Sequence, residues 1–211
     1  MAETECNKMN NFWDERFANN KSVYGEEPNQ FFKEQLSKLE SGAILLPAEG
    51  EGRNAIYAAK SGWDVSAFDT SKVGRENALK RAEQENVAID YKLQDVMDFK
   101  YPENEFNAIG LIYSHFPSNI RTKFHQKLVS SLKVGGYIIL EGFSKNHLQF
   151  SEKNPSAGGP RNIDMLFDAE SILADFKGLE TVIIEEKVVH LAEGEFHQGE
   201  SYVVRYVGKR V

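Results

Sequence analysis

Gly50, Gly52 and Ala55 stand at the spacing GxGxxA behind the apolar run of residues 44–47 and ahead of Ile56, Ala59 and Lys60, which fall at helical spacing. A strand turning through glycines into a helix aims unpaired backbone N–H groups and the positive helix end at one point. Such a point suits a polar or anionic part of a cofactor. Asp69 ends the next strand-like run, close to the roughly twenty-residue offset expected of an acid that binds ribose hydroxyls. A carboxylate there accepts charged hydrogen bonds, each contributing about 1.5–3 kcal/mol. On these residues alone, a nicotinamide dinucleotide fits as well as any other nucleotide cofactor, and an ordinary tight turn is the plain alternative.

Further along, the stretch Tyr113, Ser114, His115 closes another apolar run, and His115 is the best-placed candidate for a general base. Candidate acceptor-binding residues are Ser114, Glu141 and Phe143, Arg161 in the GGPRN segment, and His197 in EGEFHQG. Arg161 also reads as a solvated loop charge, and Glu195 and His197 as shapers of a turn. His190, Glu193 and His197 have the composition of metal ligands without their spacing, so no metal site is expected. The single cysteine, Cys6, excludes an internal disulfide and a cysteine-based metal site.

Elements must position these residues, and their order is regular. The patterns predict strands near 43–47, 65–68, 88–93, from Phe106 and over 134–141, with helices from about 53, over 72–86 and from Ser118, a suitable N-cap. Alternating strands and helices indicate an α/β fold, a doubly wound Rossmann-like sheet with helices on both faces. The glycine pair at 135 and 136 marks a sharp entry into the fifth strand. Residues 144–164 read as a long loop, followed by a helix from Asp168. The runs ETVIIEEKVVHL and SYVVRYV, separated by AEGEFHQGE, read as an antiparallel hairpin at the sheet edge, making seven strands. Ahead of them, residues 10–19 and a segment from Phe32 towards Gly42 read as helices. The domain reading is an N-terminal helical lid, 1–42, and one globular unit, 43–211.

The 211 residues suit one α/β domain. A formal net charge of −7 disfavours nucleic acid, because Lys and Arg supply most of that affinity. No apolar run is long enough to cross a bilayer, and the N-terminus lacks secretory or transit character. The expectation is a cytoplasmic protein with a small-molecule substrate and no membrane partner.

Asp95 past the third strand, LKVGGYIILEG at the helix-to-fifth-strand turn, the C-terminal hairpin and the GEGRN loop together make the chain resemble the class I S-adenosylmethionine-dependent methyltransferases. The resemblance is nearest to the small bacterial subgroup related to the tellurite-resistance and thiopurine methyltransferases, and it runs from Phe12 to Val207. It implies transfer of a methyl group from S-adenosylmethionine to a small acceptor. It also implies that FWDERFANNKSVYGEEPN, with Tyr24, folds over the cofactor. Ala48, Glu49, Gly50 and Gly52 would face the methionyl part, Asp69 the ribose, Thr70 the adenine face, Asp95 and Val96 the adenine edge, and Tyr113 and Ser114 the sulfonium. The family's loop acid is here Leu46 and its first glycine is Ala48. Glu49 or Glu51 is expected to supply the missing charge, and Arg16 or Arg53 to pair with the cofactor carboxylate. No Asn-Pro-Pro or Asp-Pro-Pro run follows strand four, which points away from nucleic-acid bases. Thiols, chalcogen oxyanions, hydroxyls and carboxylates remain as acceptors. The rivals are an NAD-dependent oxidoreductase and a catalytically idle cofactor-binding module.

Overall fold

The computed structural model describes residues 12–18 and 22–211. Cys6, Asn10 and Asn19 lie outside them. Helix α1 (12–18) is followed by an irregular strap, 22–29, which opens on a turn closed by the Gly25 N–H on the Ser22 carbonyl, and by α2 (Gln30–Leu36), which ends earlier than its apolar spacing suggests. Asn29 caps α2 by accepting the Phe32 N–H, and this fixes where the strap becomes helix.

Five strands follow, with a helix in every connection but that from β3 to β4: β1 (Ala43–Pro47), α3 (Arg53–Lys60), β2 (Asp64–Asp69), α4 (Lys72–Gln84), β3 (Asp90–Leu93), β4 (Phe106–Ile112), α5 (Ser118–Ser131) and β5 (Leu132–Phe143). A short helix α6 (Leu148–Lys153), α7 (Ala169–Asp175) and the hairpin β6 (Glu180–Glu193) and β7 (His197–Lys209) complete the chain. The sheet order is β3-β2-β1-β4-β5-β7-β6, parallel through β5 and antiparallel at β7 and β6. The doubly wound, seven-stranded expectation is therefore met. Ile44, Leu45 and Leu46 of β1 are all buried, as a central parallel strand covered on both faces requires. One core layer packs Phe32, Leu36, Ile44 and Leu46 against Ala55 and Ala58; the other packs Phe106, Ile109 and Leu111 against Phe124, Leu128 and Phe176. No described helix is long and apolar enough to cross a membrane.

Four local expectations are corrected. Ser118 is the first residue of α5 and not its cap; Pro117 precedes it, and the Asp164 carboxylate accepts the Ser118 N–H at 3.0 Å. Strand β5 begins at Leu132, so Gly135 and Gly136 lie within it, and the irregularity appears as a register shift against Phe106 and Ala108 on β4. Residues 144–164 hold α6 and short 3-10 turns instead of an unstructured loop. The hairpin turn shrinks to residues 194–196 because Glu193 and His197 pair as the last ladder rung. That lengthening carries the tip to the carboxyl ends of β1, β4 and β5. Strand order reverses between β1 and β4, the crevice where open α/β sheets place ligands.

Candidate cofactor and acceptor site

The loop after β1 is held from three sides. Gly50 donates its N–H to Asp69 Oδ2 at 3.0 Å, and the Gly50 carbonyl accepts the Tyr91 hydroxyl at 2.7 Å. Asp69 Oδ1 accepts the Ser71 N–H at 2.8 Å. Each Asp69 oxygen thus keeps a lone pair for a further donor. Burial raises its carboxyl above the ordinary value, against the pull of these N–H groups. Gly52 has φ of 77°, and a Cβ there would stand 2.7 Å from the Ala78 methyl, so glycine lets α3 and α4 approach. Ala48, in the first glycine's place, holds φ of 52°, a conformation that costs a side-chain-bearing residue about 1 kcal/mol or more.

Both loop glutamates are committed within the protein. Glu49 Oε1 accepts the N–H groups of Asn54 and Ala55, each at 2.8 Å, and caps α3. Glu51 accepts the Val23 N–H at 2.7 Å and the Asn77 amide at 3.1 Å, tying the strap to the loop and to α4. Leu46, in the family acid's position, is buried in the layer containing Phe32. Burial lifts the Glu49 carboxyl to about 7, against the opposing pull of the Ala55 N–H. Because this folded value exceeds 4.5, the stability it contributes is present at low pH and lost as pH rises through about 7. Glu49→Gln should therefore flatten urea-unfolding stability across this range and gain roughly 2 kcal/mol on the wild type at the alkaline end. An unchanged slope would show that Glu49 is not the titrating group.

Helix α1 and the strap lie on this loop. The Phe17 ring reaches within 3.1 Å of a Cβ built at Gly50 and 3.0 Å of one built at Gly74. Asp14 accepts the Ser71 hydroxyl at 2.6 Å and the Val73 N–H at 3.1 Å, at the start of α4. Arg16 donates to the Tyr24 hydroxyl at 3.0 Å and lies over the Phe12 and Phe196 rings, which joins α1 to the hairpin tip. Arg53 donates to the Tyr24 carbonyl at 2.9 Å and forms a 2.8 Å ion pair with Glu193. Arg53 is therefore matched by a protein carboxylate.

Asn29 joins these parts, and nothing in the sequence marks it as a site residue beyond its position ahead of α2. Its side-chain amide donates to Glu141 at 2.6 Å and to Glu193 at 3.0 Å, while its backbone N–H donates to Asn54 Oδ1 at 2.9 Å. Glu141, fully buried, also accepts the Tyr113 hydroxyl at 3.0 Å and the Arg205 Nε–H. Burial alone would raise the Glu193 carboxyl, but the His197 N–H and the Arg53 guanidinium outweigh it and hold Glu193 down at about 2. Burial keeps the His197 imidazole below its ordinary value, so a neutral ring donates Nδ1–H to Glu193 at 3.2 Å.

At the end of β4, Tyr113 has φ of 53°, a strained value for an aromatic residue, and its ring packs on His197 and Phe143. The Ser114 hydroxyl beside it is buried with no hydrogen-bond partner among the described residues. His115, the candidate base, has both ring nitrogens engaged within the protein. Its Nε2 accepts the Phe143 N–H at 3.0 Å and its Nδ1 donates to the Met165 carbonyl at 2.8 Å. Protonating Nε2 would set N–H against N–H, and burial already pushes the imidazole down to about 3. His115→Ala should destabilise the fold by about 2–4 kcal/mol in denaturant titrations, since two backbone groups lose their partner. A loss within measurement error would remove this bracing role.

Thr70 is partly buried next to Asp69. Asp95 turns onto the Met97 N–H at 2.7 Å, and Val96 is packed in the core. Arg161 is exposed, without an ion pair among the described residues. Phe143 stacks on His147, which is itself held by the Gly158 carbonyl and the Tyr202 N–H. No group of three or more potential metal ligands occurs among the described residues.

The fold has structural counterparts. Residues 44–136 match a family described as "Methyltransferase domain". The match spans the loop, Asp69, Asp95 and Tyr113, and stops short of Glu141 and the hairpin. No curated protein matches the sequence. Among solved structures, magnesium protoporphyrin IX methyltransferase (ChlM) from Synechocystis PCC 6803, with bound SAH, superposes with a TM-score of 0.70 at 13% identity over 98% of this chain and 99% of that one. A structure determined for the conversion of a disulfide bond into a thioacetal group during echinomycin biosynthesis gives 0.74 at 16% identity over 96% and 92%. TehB from Haemophilus influenzae gives 0.71 at 15% over 87% and 63%. The fold is thus one used by methyltransferases.

Proposed function

We propose that the protein is an S-adenosylmethionine-dependent methyltransferase acting on a small-molecule acceptor. The observation that carries this reading is Asp69, fixed by the Gly50 N–H at the mouth between β1 and β2 with acceptor capacity left on both oxygens. The ChlM structure with SAH and the domain match over the same stretch support the choice of cofactor over NAD. The residues present fit that group: a carboxylate for the ribose hydroxyls, a glycine loop close to α1, and the unpartnered Ser114 hydroxyl beside β4. Asp95 and Val96 would take the adenine edge and Thr70 its face.

When bound, S-adenosylmethionine supplies a methyl group on a sulfonium, already electrophilic towards an in-line nucleophile. The protein's part is orientation, which contributes about 7–11 kcal/mol in favourable cases. Tyr113, Phe143 and His197 form an aromatic wall at the ends of β4 and β5 that would position the acceptor and exclude water. With both His115 nitrogens engaged, no base is assigned, which favours acceptors that are nucleophilic without one, such as thiolates, chalcogen oxyanions and carboxylates, over hydroxyls. A sulfur acceptor is in keeping with the chemistry of the echinomycin-pathway neighbour. The aromatic lid segment supports the narrower kinship with tellurite-resistance and thiopurine methyltransferases.

A second reading, a cofactor-binding module without transfer activity, is favoured by one observation. Leu46 is buried, and Glu49 and Glu51 are both engaged, so none of the three offers a ready partner to the cofactor ammonium. Incubation with methyl-labelled S-adenosylmethionine and thiols, selenite, tellurite and metabolite extracts separates the two. Protein-dependent label in a small product is expected; cofactor binding with no labelled product in any mixture would favour the idle module.

A further inference from the structure

Strand β6 is the free edge of the sheet, fourteen residues long, and its pairing with β7 runs without a bulge from Ile183 to Glu193. Natural sheets blunt such an edge with short strands, bulges, proline, charged side chains or a covering element; of these β6 carries charges, Glu185, Glu186 and Lys187, of both signs. Among the described residues no strand pairs with its outer side. Two apolar side chains on it, Val182 and Val188, are about half exposed. Its centre carries Glu185 and Lys187, both solvent-accessible and 3.5 Å apart along the strand.

From this edge we propose that two copies of the chain associate through antiparallel β6–β6 pairing about a two-fold axis at Glu186. Cross-strand partners in an antiparallel ladder share a sheet face, so a two-fold axis normal to the sheet must pair residues of like parity. Centred on Glu186, the pairing sets Glu185 opposite Lys187 of the second copy twice, with Ile184 opposite Val188 and Val182 opposite His190. Shifting the axis to Lys187 or Glu185 places a like-charged pair there and removes both opposite-charge pairs. At the chosen axis Glu186 meets its own copy, but its carboxylate already accepts the Ser144 hydroxyl at 2.9 Å and the Ala169 N–H at 2.8 Å. Charge complementarity therefore selects one register and a second copy of this chain as the occupant. The sheets would join into fourteen strands, an isologous contact that closes on itself. The contact uses the outer edge of β6, whereas the Asp69 loop lies across the sheet at β1 and β2, so the dimer stands or falls independently of the methyltransferase reading.

Sedimentation equilibrium on the full chain and its variants tests this. The wild type should show a concentration-dependent monomer–dimer equilibrium. Lys187→Glu, which turns both pairs into like-charge contacts, should weaken association about tenfold or more. The double variant Glu185→Lys with Lys187→Glu restores opposite charges with their positions exchanged, and should restore the dimer. A wild type monomeric at all concentrations, a dimer indifferent to Lys187→Glu, or a double variant that fails to reassociate would each overturn the pairing.

Discussion

Asn29→Asp is expected to be among the most damaging single substitutions in this chain. It exchanges two amide donors for acceptors at a buried point where Glu141 and Glu193 already converge. Removing one partner from a buried charged network costs about 3–5 kcal/mol, and here the new group adds like charge to the loss. For a chain of this length that corresponds to a fall in Tm of roughly 10 °C. The loss should be largest at neutral pH and shrink on acidification, because a proton on the introduced carboxyl restores a donor. Limited proteolysis should cut the strap first, since Asn29 ties residues 22–29 to α3, β5 and the hairpin at once. Glu193→Gln in the same chain should recover part of the stability. A variant that melts with the wild type and resists protease equally would show that the strap is held by other contacts.

Asp69→Asn should have the largest effect on cofactor affinity. The substitution keeps size and one acceptor oxygen but loses charge and presents an amide to one of the N–H groups now bound, from Gly50 or Ser71. Two charged hydrogen bonds to ribose hydroxyls would weaken together, a loss of about 3 kcal/mol or roughly a hundredfold in affinity for S-adenosylhomocysteine by calorimetry. Stability should fall far less than affinity. Equal affinity in wild type and variant would move the ribose away from β2.

What could be read in the sequence followed from how local each feature is. Strands β1 and β4, and β5 from Tyr137 to Leu140, are apolar almost without interruption because helices cover both faces, and that signature needs no knowledge of partners. The loop from Ala48 to Arg53 and Asp69 were equally legible, being a short motif and an offset. The polar network was not. Glu141, Glu193 and Asn29 lie 112 and 164 residues apart along the chain in the two bonds that unite them, and no periodicity announces such contacts. The segment AEGEFHQGE resembles a loop by composition, yet Arg53 holds Glu193, the Val23 carbonyl of the strap accepts the Glu195 N–H, and the residues on either side of 194–196 pair in the ladder. His115 looked like a base because it follows β4; the partners that occupy its nitrogens come from Phe143 and Met165, 28 and 50 residues further on. Asn29 did carry a local signal, a capping residue after Pro28, but that signal describes only its helix.

The central claim is that the crevice at the carboxyl ends of β1, β2 and β4, walled by α1 and the strap, holds S-adenosylmethionine and not a nicotinamide dinucleotide. Calorimetric titration of the wild type with S-adenosylhomocysteine and with NAD, in parallel, tests it most directly. Saturable one-site binding of S-adenosylhomocysteine, weakened by Asp69→Asn, with no heat from NAD, is the predicted result. Binding of NAD with none of S-adenosylhomocysteine would contradict the account.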